Sequence, residues 1–286
     1  MYGNKFSKRT SQDIVAEFKY VIENNDVQQI TLWDEGTSFE RKFILDLCEG
    51  LIELRKSDNY KIRNFVWTTR STTALLDEEI VKKLALSGLS GITLGIESFD
   101  KEILNTVEKN ISLESNFKAI ELLKKYNIIS IGHIILGHLT DTKESVERTI
   151  QGAINLGLDF AQFYCAVPYP NTKLHQLAIE NDLIRVTDLI KYELSNPIMD
   201  TLGGLSYKEI EEYRTLAKKL FWTKERWDNL NRLIGTDKGI TKDKKQLFLN
   251  WNDRNIVKKI SYVEEMLVEN NGYQDALKWR KTNQSV

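Results

Sequence analysis

Apolar residues along this chain follow two periods. Short apolar or β-branched runs recur about every thirty residues, at Gln29–Trp33, Asn64–Trp67, Gly91–Gly95, Ile129–Leu136 and Phe160–Val167, and read as strands. Between them the spacing changes to three and four residues, the period of an amphipathic helix. Ile14, Phe18, Val21 and Ile22 share one such face, with Ser11 as the expected N-cap, and Phe43, Ile44, Leu47, Cys48, Leu51 and Ile52 share the next. A third helix is expected from Asp77 to Leu86, stopping at Gly88, and a fourth from Leu113 to Tyr126. A fifth opens at Asp141, with Glu144 three residues on, and ends at Gly157.

The elements alternate, and every crossover is long enough to return the chain to a parallel neighbour. The fold class expected is α/β, an incomplete (β/α)6 TIM-like partial barrel of parallel strands with a C-terminal helical appendage. Such chains usually open on a strand, whereas this one opens on a helix, so the barrel is expected to start after its first strand. Residues 1–205 form the partial barrel in this reading and residues 206–286 the helical region, opened by a Ser206/Glu209 capping box. Two consequences are expected. The Gln29–Trp33 strand should have an open edge beside Ile30 and Leu32, and the leading helix should be displaced or loosely packed.

Charge narrows the partners. Across 286 residues, 40 basic side chains meet 41 acidic ones, which leaves no electrostatic footprint for duplex nucleic acid or an anionic membrane surface. The most apolar stretch, Ile128 to Gly137, is too short to cross a bilayer, and the N-terminus has no secretory signal. Cys48 and Cys165 lie far apart with no CxxC spacing, which fits a reducing, cytoplasmic setting.

In parallel α/β folds, ligand-binding residues gather where strands end. Asp34 and Glu35 follow the first visible strand here, Thr68, Thr69 and Arg70 the second, and Glu97 and Ser98 the third. Gly137 and His138 follow the fourth, and Pro168, Tyr169, Pro170 and Asn171 the fifth. Carboxylates suit an ammonium, arginine a carboxylate, and glycine a close approach to a flat ring, so the set suits an amino-acid-like small molecule. Plainer roles stand beside these: helix capping for Asp34 and Glu35, an ion pair with Asp77 for Arg70, and core packing for both cysteines. His133, His138 and His175 have no metal-ligand spacing, and no metal site is expected of them.

Together these segments resemble the radical S-adenosylmethionine (radical SAM) superfamily, especially its cobalamin-dependent branch. Gly95-Ile96-Glu97-Ser98 resembles that family's fourth-strand motif. Leu136-Gly137 followed by Asp141-Thr142-x-Glu144-Ser145 resembles its fifth-strand loop, and Pro168-Tyr169-Pro170-Asn171-Thr172 its proline-tyrosine-proline-glycine-threonine run. Lys5-Phe6-x-Lys8-Arg9-Thr10 resembles the stretch after its cysteine loop, and the helix ending Leu220-Phe221-Trp222 the one after the barrel.

The resemblance implies S-adenosylmethionine as cofactor, held by Asp34, Glu35, Arg70, Glu97, Ser98, Gly137 and Tyr169. It also implies a 4Fe–4S cluster, which in the family cleaves the sulfonium to give a radical. The family's CxxxCxxC loop does not occur in this sequence, nor does its cobalamin domain. His138, Thr140 and Asp141 replace Leu, Gly and Glu-like residues, and Asn171 replaces glycine. The expected function is thus a radical SAM core truncated before its cluster loop and inactive alone, with a partner chain as one source of the missing segment. Two alternatives stand: a non-catalytic barrel remnant serving as a binding module, and an unrelated barrel enzyme using Glu97 and Asp34 for acid–base chemistry. Family members act on lipids, tetrapyrroles, peptides and nucleotides, and no residue here selects among these.

Overall fold

The computed structural model describes residues 9–33, 40–107, 112–223, 225, 226 and 229. In chain order its elements are α1 (Ser11–Asn24), β1 (Gln29–Thr31), α2 (Arg41–Leu54), α3 (Tyr60–Asn64) and β2 (Val66–Ser71). Then come α4 (Glu78–Leu86), β3 (Leu89–Glu97), α5 (Lys101–Thr106), α6 (Leu113–Lys125) and β4 (Ile129–Leu136). The last are α7 (Lys143–Leu156), β5 (Phe160–Cys165), α8 (Lys173–Glu180) and α9 (Tyr207–Phe221). The strands form one five-stranded sheet in sequential order β1-β2-β3-β4-β5. Parallel strands joined by helical crossovers give the topology of a partial TIM-like α/β barrel.

The chain divides into two compact units. The first holds residues 1–95 and 111–131, and its core is the seam between strands and their covering helices. Phe18 of α1 meets Phe65 and Trp67 edge to face, with centroids 5.7 and 6.2 Å apart. Trp67 donates its indole N–H to Ser87 Oγ at 3.1 Å, which satisfies a polar group that burial would otherwise strand. Ile22, Leu47 and Leu51 close the seam between α1 and α2. The leading helix is therefore firmly seated, contrary to expectation, because its apolar face finds α2 as well as the strands. Its N-cap is Thr10 rather than Ser11, in a capping box with Asp13. Among the described residues the open edge is present: β1 is the terminal strand of the sheet, pairs in parallel with β2, and leaves Ile30 and Leu32 half-buried.

The second unit holds residues 96–110 and 132–235, and its core lies between β4, β5 and helices α7 and α9. Phe163 of β5 meets Phe221 of α9 edge to face at 6.1 Å, and Phe160 meets Trp222 at 4.9 Å. The Ser206/Glu209 capping box opens α9 as expected. Thr142, not Asp141, caps α7, because Asp141 turns back into the preceding loop.

Two strands run further than the apolar runs suggested. β2 extends to Ser71 because Thr68–Ser71 pair with Gly91–Leu94 of β3, so Thr68, Thr69 and Arg70 lie in the strand and not in a loop after it. β3 likewise ends on Glu97 itself. Asn64 closes α3, a short helix capped by Asn59, rather than opening a strand.

Candidate functional site

Glu97 is the last residue of β3 and takes a left-handed backbone, φ 63°, which a side chain with a Cβ adopts at a cost of about 1–2 kcal/mol. The turn that holds it there is built from polar side chains. Ser98 is 1% exposed, its Oγ shares a hydrogen bond with Thr149 Oγ1 of α7 at 2.8 Å, and it accepts the Asp100 N–H at 3.0 Å. Thr149 Oγ1 also accepts the Phe99 N–H at 3.1 Å. Asp100 caps α5 and receives Arg148 Nε and Nη2 on one oxygen, at 2.9 and 2.6 Å. Burial pushes the Asp100 carboxyl up, but the Arg148 guanidinium and the α5 N–H groups outweigh it and leave the group below its ordinary range. Ser98 therefore serves the turn with its hydroxyl, and Glu97, half-buried, ends the strand just before it.

The loop after β4 supplies the second part. Gly137 has φ +76°, and a Cβ there would lie 2.9 Å from Ile210 Cδ1 of α9. Only glycine meets both conditions without rearrangement. Gly203 approaches the same loop so closely that a Cβ would lie 2.1 Å from the Asp141 carbonyl oxygen, and Thr201 Oγ1 donates to that oxygen at 2.6 Å. Inside the loop, Asp141 accepts Ser145 Oγ–H at 2.5 Å and the His138 N–H at 2.8 Å.

The His138 imidazole is 8% exposed, and its Nε2 has no hydrogen-bond partner among the described residues. Burial holds this imidazole below its ordinary pKa, against the opposing pull of Asp141 and Glu97. Burial pushes the Asp141 carboxyl up, against Ser145 and His138. Glu97 on its strained backbone, Gly137 and an imidazole whose Nε2 has no partner among the described residues thus belong to one unit, with Glu97 and His138 in one electrostatic neighbourhood.

The other expected site residues fall as follows. Arg70, in the first unit, lies over the Trp33 ring at 3.8 Å from its centroid, a cation–π stack. Asp77 does not pair with it, because Arg41 takes both Asp77 and Glu79. Asp34 and Glu35 lie outside the described residues, as do Lys5 to Lys8 of the N-terminal motif. Tyr169 is 39% exposed, in a turn where its carbonyl accepts the Thr172 hydroxyl at 2.7 Å. Asn171 in that turn has φ 66°, which explains how asparagine stands where the resemblance expects glycine. A separate open groove of about 510 Å³ between α1 and α2, lined by Val15, Lys42, Asp46 and Gly50, lies on the helical side of the first unit.

Sequence reasoning missed Thr149, Arg148 and Ile210, which hold the two strand-end turns. Nothing local marks them, since each acts across about fifty residues or more of chain. Trp33 over Arg70 was missed for the same reason.

A model of the radical SAM superfamily matches residues 2–153, and the chain belongs to that superfamily. An uncharacterized methyltransferase of Pyrococcus horikoshii is 29% identical over 220 residues, 77% of this chain and 46% of the relative. An anaerobic magnesium-protoporphyrin IX monomethyl ester cyclase of Rubrivivax gelatinosus is 30% identical over 67% of this chain and 33% of its own length. The chain thus spans less than half the length of these curated relatives. In fold it is similar to the radical S-adenosylmethionine methyltransferase TsrM from Kitasatospora setae, solved with cobalamin and a [4Fe-4S] cluster. That likeness has TM-score 0.58 and 16% identity, over 74% of this chain and 39% of that one. The cobalamin-dependent radical enzyme OxsB gives TM-score 0.55 and 14% identity, over 97% of this chain and 55% of that one.

The superfamily implies two groups, and the residues treat them differently. A 4Fe–4S cluster does not fit this chain. Cys48 and Cys165 are its two cysteines, both are buried, each belongs to a different unit, and burial pushes each thiol up to about 12. Among the described residues no group of three metal-ligating side chains occurs either. For S-adenosylmethionine the residues offer a fitting feature: His138 Nε2 is a buried nitrogen with no partner among the described residues, in the electrostatic neighbourhood of Glu97.

Proposed function

We propose that this chain is the S-adenosylmethionine-binding body of a radical SAM enzyme, working with cluster thiolates supplied from outside these 286 residues. The supply is an adjoining segment or a partner chain, and the setting is the cytoplasm. The observation that carries the reading is the convergence of Glu97, Gly137 and His138 in one unit of a superfamily member.

Bound S-adenosylmethionine supplies an activated sulfonium carbon. The protein's own contribution is to bind and orient. Glu97 meets the ammonium of the methionine part as a charge-assisted acceptor. Gly137 gives the loop after β4 the left-handed turn it needs beside Ile210, and His138 satisfies its nitrogen on a ligand polar atom. Ser98 positions Glu97 through the turn it closes. Tyr169 is the further candidate of the same unit, and Arg70, Asp34 and Glu35 are the candidates of the first. Relatives named as methyltransferases and cyclases make a one-carbon transfer or a ring closure the reaction class this reading favours.

The test is calorimetric titration of the full chain with S-adenosylhomocysteine, which needs no cluster. One-to-one binding is expected, weakened about tenfold or more by Glu97→Gln at unchanged melting temperature. Absence of binding, or equal affinity in the variant, contradicts the reading.

A further inference from the structure

β4 and β5 contain no Lys, Arg, Asp or Glu: they read Ile-Ser-Ile-Gly-His-Ile-Ile-Leu and Phe-Ala-Gln-Phe-Tyr-Cys. Side chains alternate between the faces of a strand, and Phe163 meets Phe221 of α9, so Gln162 and Tyr164 occupy the face turned away from that helix. His133 of β4 joins them there, its ring perpendicular to that of Tyr164 at 85° with centroids 5.0 Å apart. Tyr164 donates its phenol hydroxyl to Gln162 Oε1 at 2.6 Å. All three side chains are half-buried, while Ile134, Phe163 and Cys165 between them are buried. The helix-facing side of these strands is thus apolar, and the other side carries an ordered polar and aromatic array.

We propose that His133, Gln162 and Tyr164 form a ligand-recognition surface for a flat, uncharged molecule that presents a carbonyl oxygen. With the phenol hydroxyl on its oxygen, the Gln162 amide keeps two N–H donors, the complement of a carbonyl. The perpendicular ring pair offers an aromatic wall for a planar body to pack on. β4 and β5 offer no Lys, Arg, Asp or Glu, so the neutral forms of these three side chains favour an uncharged ligand over one whose charge must be desolvated. Strand residues fixed by hydrogen bonds and ring contacts also suit a surface that must hold one geometry. The proposal rests on the cofactor reading above and gives it a substrate class.

The chain has three histidines, so a full-length sample carrying 13C-labelled imidazoles gives a spectrum simple enough to follow His133 alone. The probes are 1-naphthamide, its charged analogue 1-naphthoate, and S-adenosylhomocysteine added separately. Naphthamide should shift the His133 signals saturably and bind about two- to tenfold more tightly than naphthoate, the effect of one neutral hydrogen bond. Gln162→Leu should weaken it by a similar factor. Tyr164→Phe, which removes the hydroxyl that pins the amide, gives the same direction should the leucine variant fail to fold. The proposal is overturned by an unmoved His133 signal, by a shift that both variants retain, or by equal binding of naphthoate. S-adenosylhomocysteine binding without a naphthamide response removes this surface alone. A naphthamide response without S-adenosylhomocysteine binding removes the cofactor reading alone.

Discussion

The carboxylate of Asp141 turns back along its own loop, and Oδ2 accepts the backbone N–H of His138 at 2.8 Å. That contact folds the loop over an imidazole whose Nε2 is enclosed without a partner among the described residues. Burial lowers the His138 pKa from its ordinary value of 6.5, with Asp141 and Glu97 pulling the other way. Below the ordinary value the unfolded chain therefore takes up a proton before the folded one does. The stability His138 contributes is full above pH 6.5 and is lost as pH falls from there through the lowered folded value. His138→Leu, which restores the residue the resemblance expects, should flatten this dependence. Melting temperatures between about pH 7.5 and about pH 5.5 should fall a few degrees further for the natural chain than for the variant. Parallel curves would show that His138 is not the group lost.

Gly137 links the loop to α9 through two constraints at once, a left-handed φ of +76° and the 2.9 Å approach of Ile210. Gly137→Ala should destabilise by about 1–3 kcal/mol in a denaturant titration, from backbone strain plus the clash. In a double-mutant cycle, Gly137→Ala should cost less in the Ile210→Ala background than in the natural chain, by the part due to the clash. No residual cost of Gly137→Ala in that background would mean the left-handed backbone costs nothing here.

How much of this was legible beforehand depends on where the determinants lie. β4 emerged with the bounds read from its apolar run, Ile129–Leu136, because Asn127 and Gly137, residues that suit turns, bracket it on both sides. The α9 capping box was equally local. The left-handed Asn171 is legible in kind, since asparagine tolerates that region, whereas Glu97 at φ 63° is not, because glutamate carries no such signal. What sustains Glu97 is Thr149 beneath Ser98, 51 residues on. The packing of α1 was misread because its partner face on α2 is a tertiary fact. The plainer reading of Arg70, an ion pair with Asp77, does not hold, because the choice between Arg41 and Arg70 for Asp77 depends on the register of whole elements.

The cysteines give a prediction of opposite character to the site. Cys48 is 1% exposed on the inner face of α2, and burial pushes its thiol up to about 12. Cys48→Ala should cost about 1 kcal/mol of stability and leave S-adenosylhomocysteine affinity unchanged. Anaerobic treatment of the full chain with iron and sulfide should yield no stoichiometric cluster, by absorbance or by spin resonance after reduction. A chain that takes up a full cluster would overturn the view that the thiolates come from elsewhere.

The central claim is that the ends of β3 and β4 hold the cofactor, and hydrogen–deuterium exchange of the full chain tests it most directly. Saturating S-adenosylmethionine should slow exchange at residues 95–98 and 136–142 while leaving α1 and α2 at their unliganded rates. Protection confined to other segments, or none at all, would contradict the account.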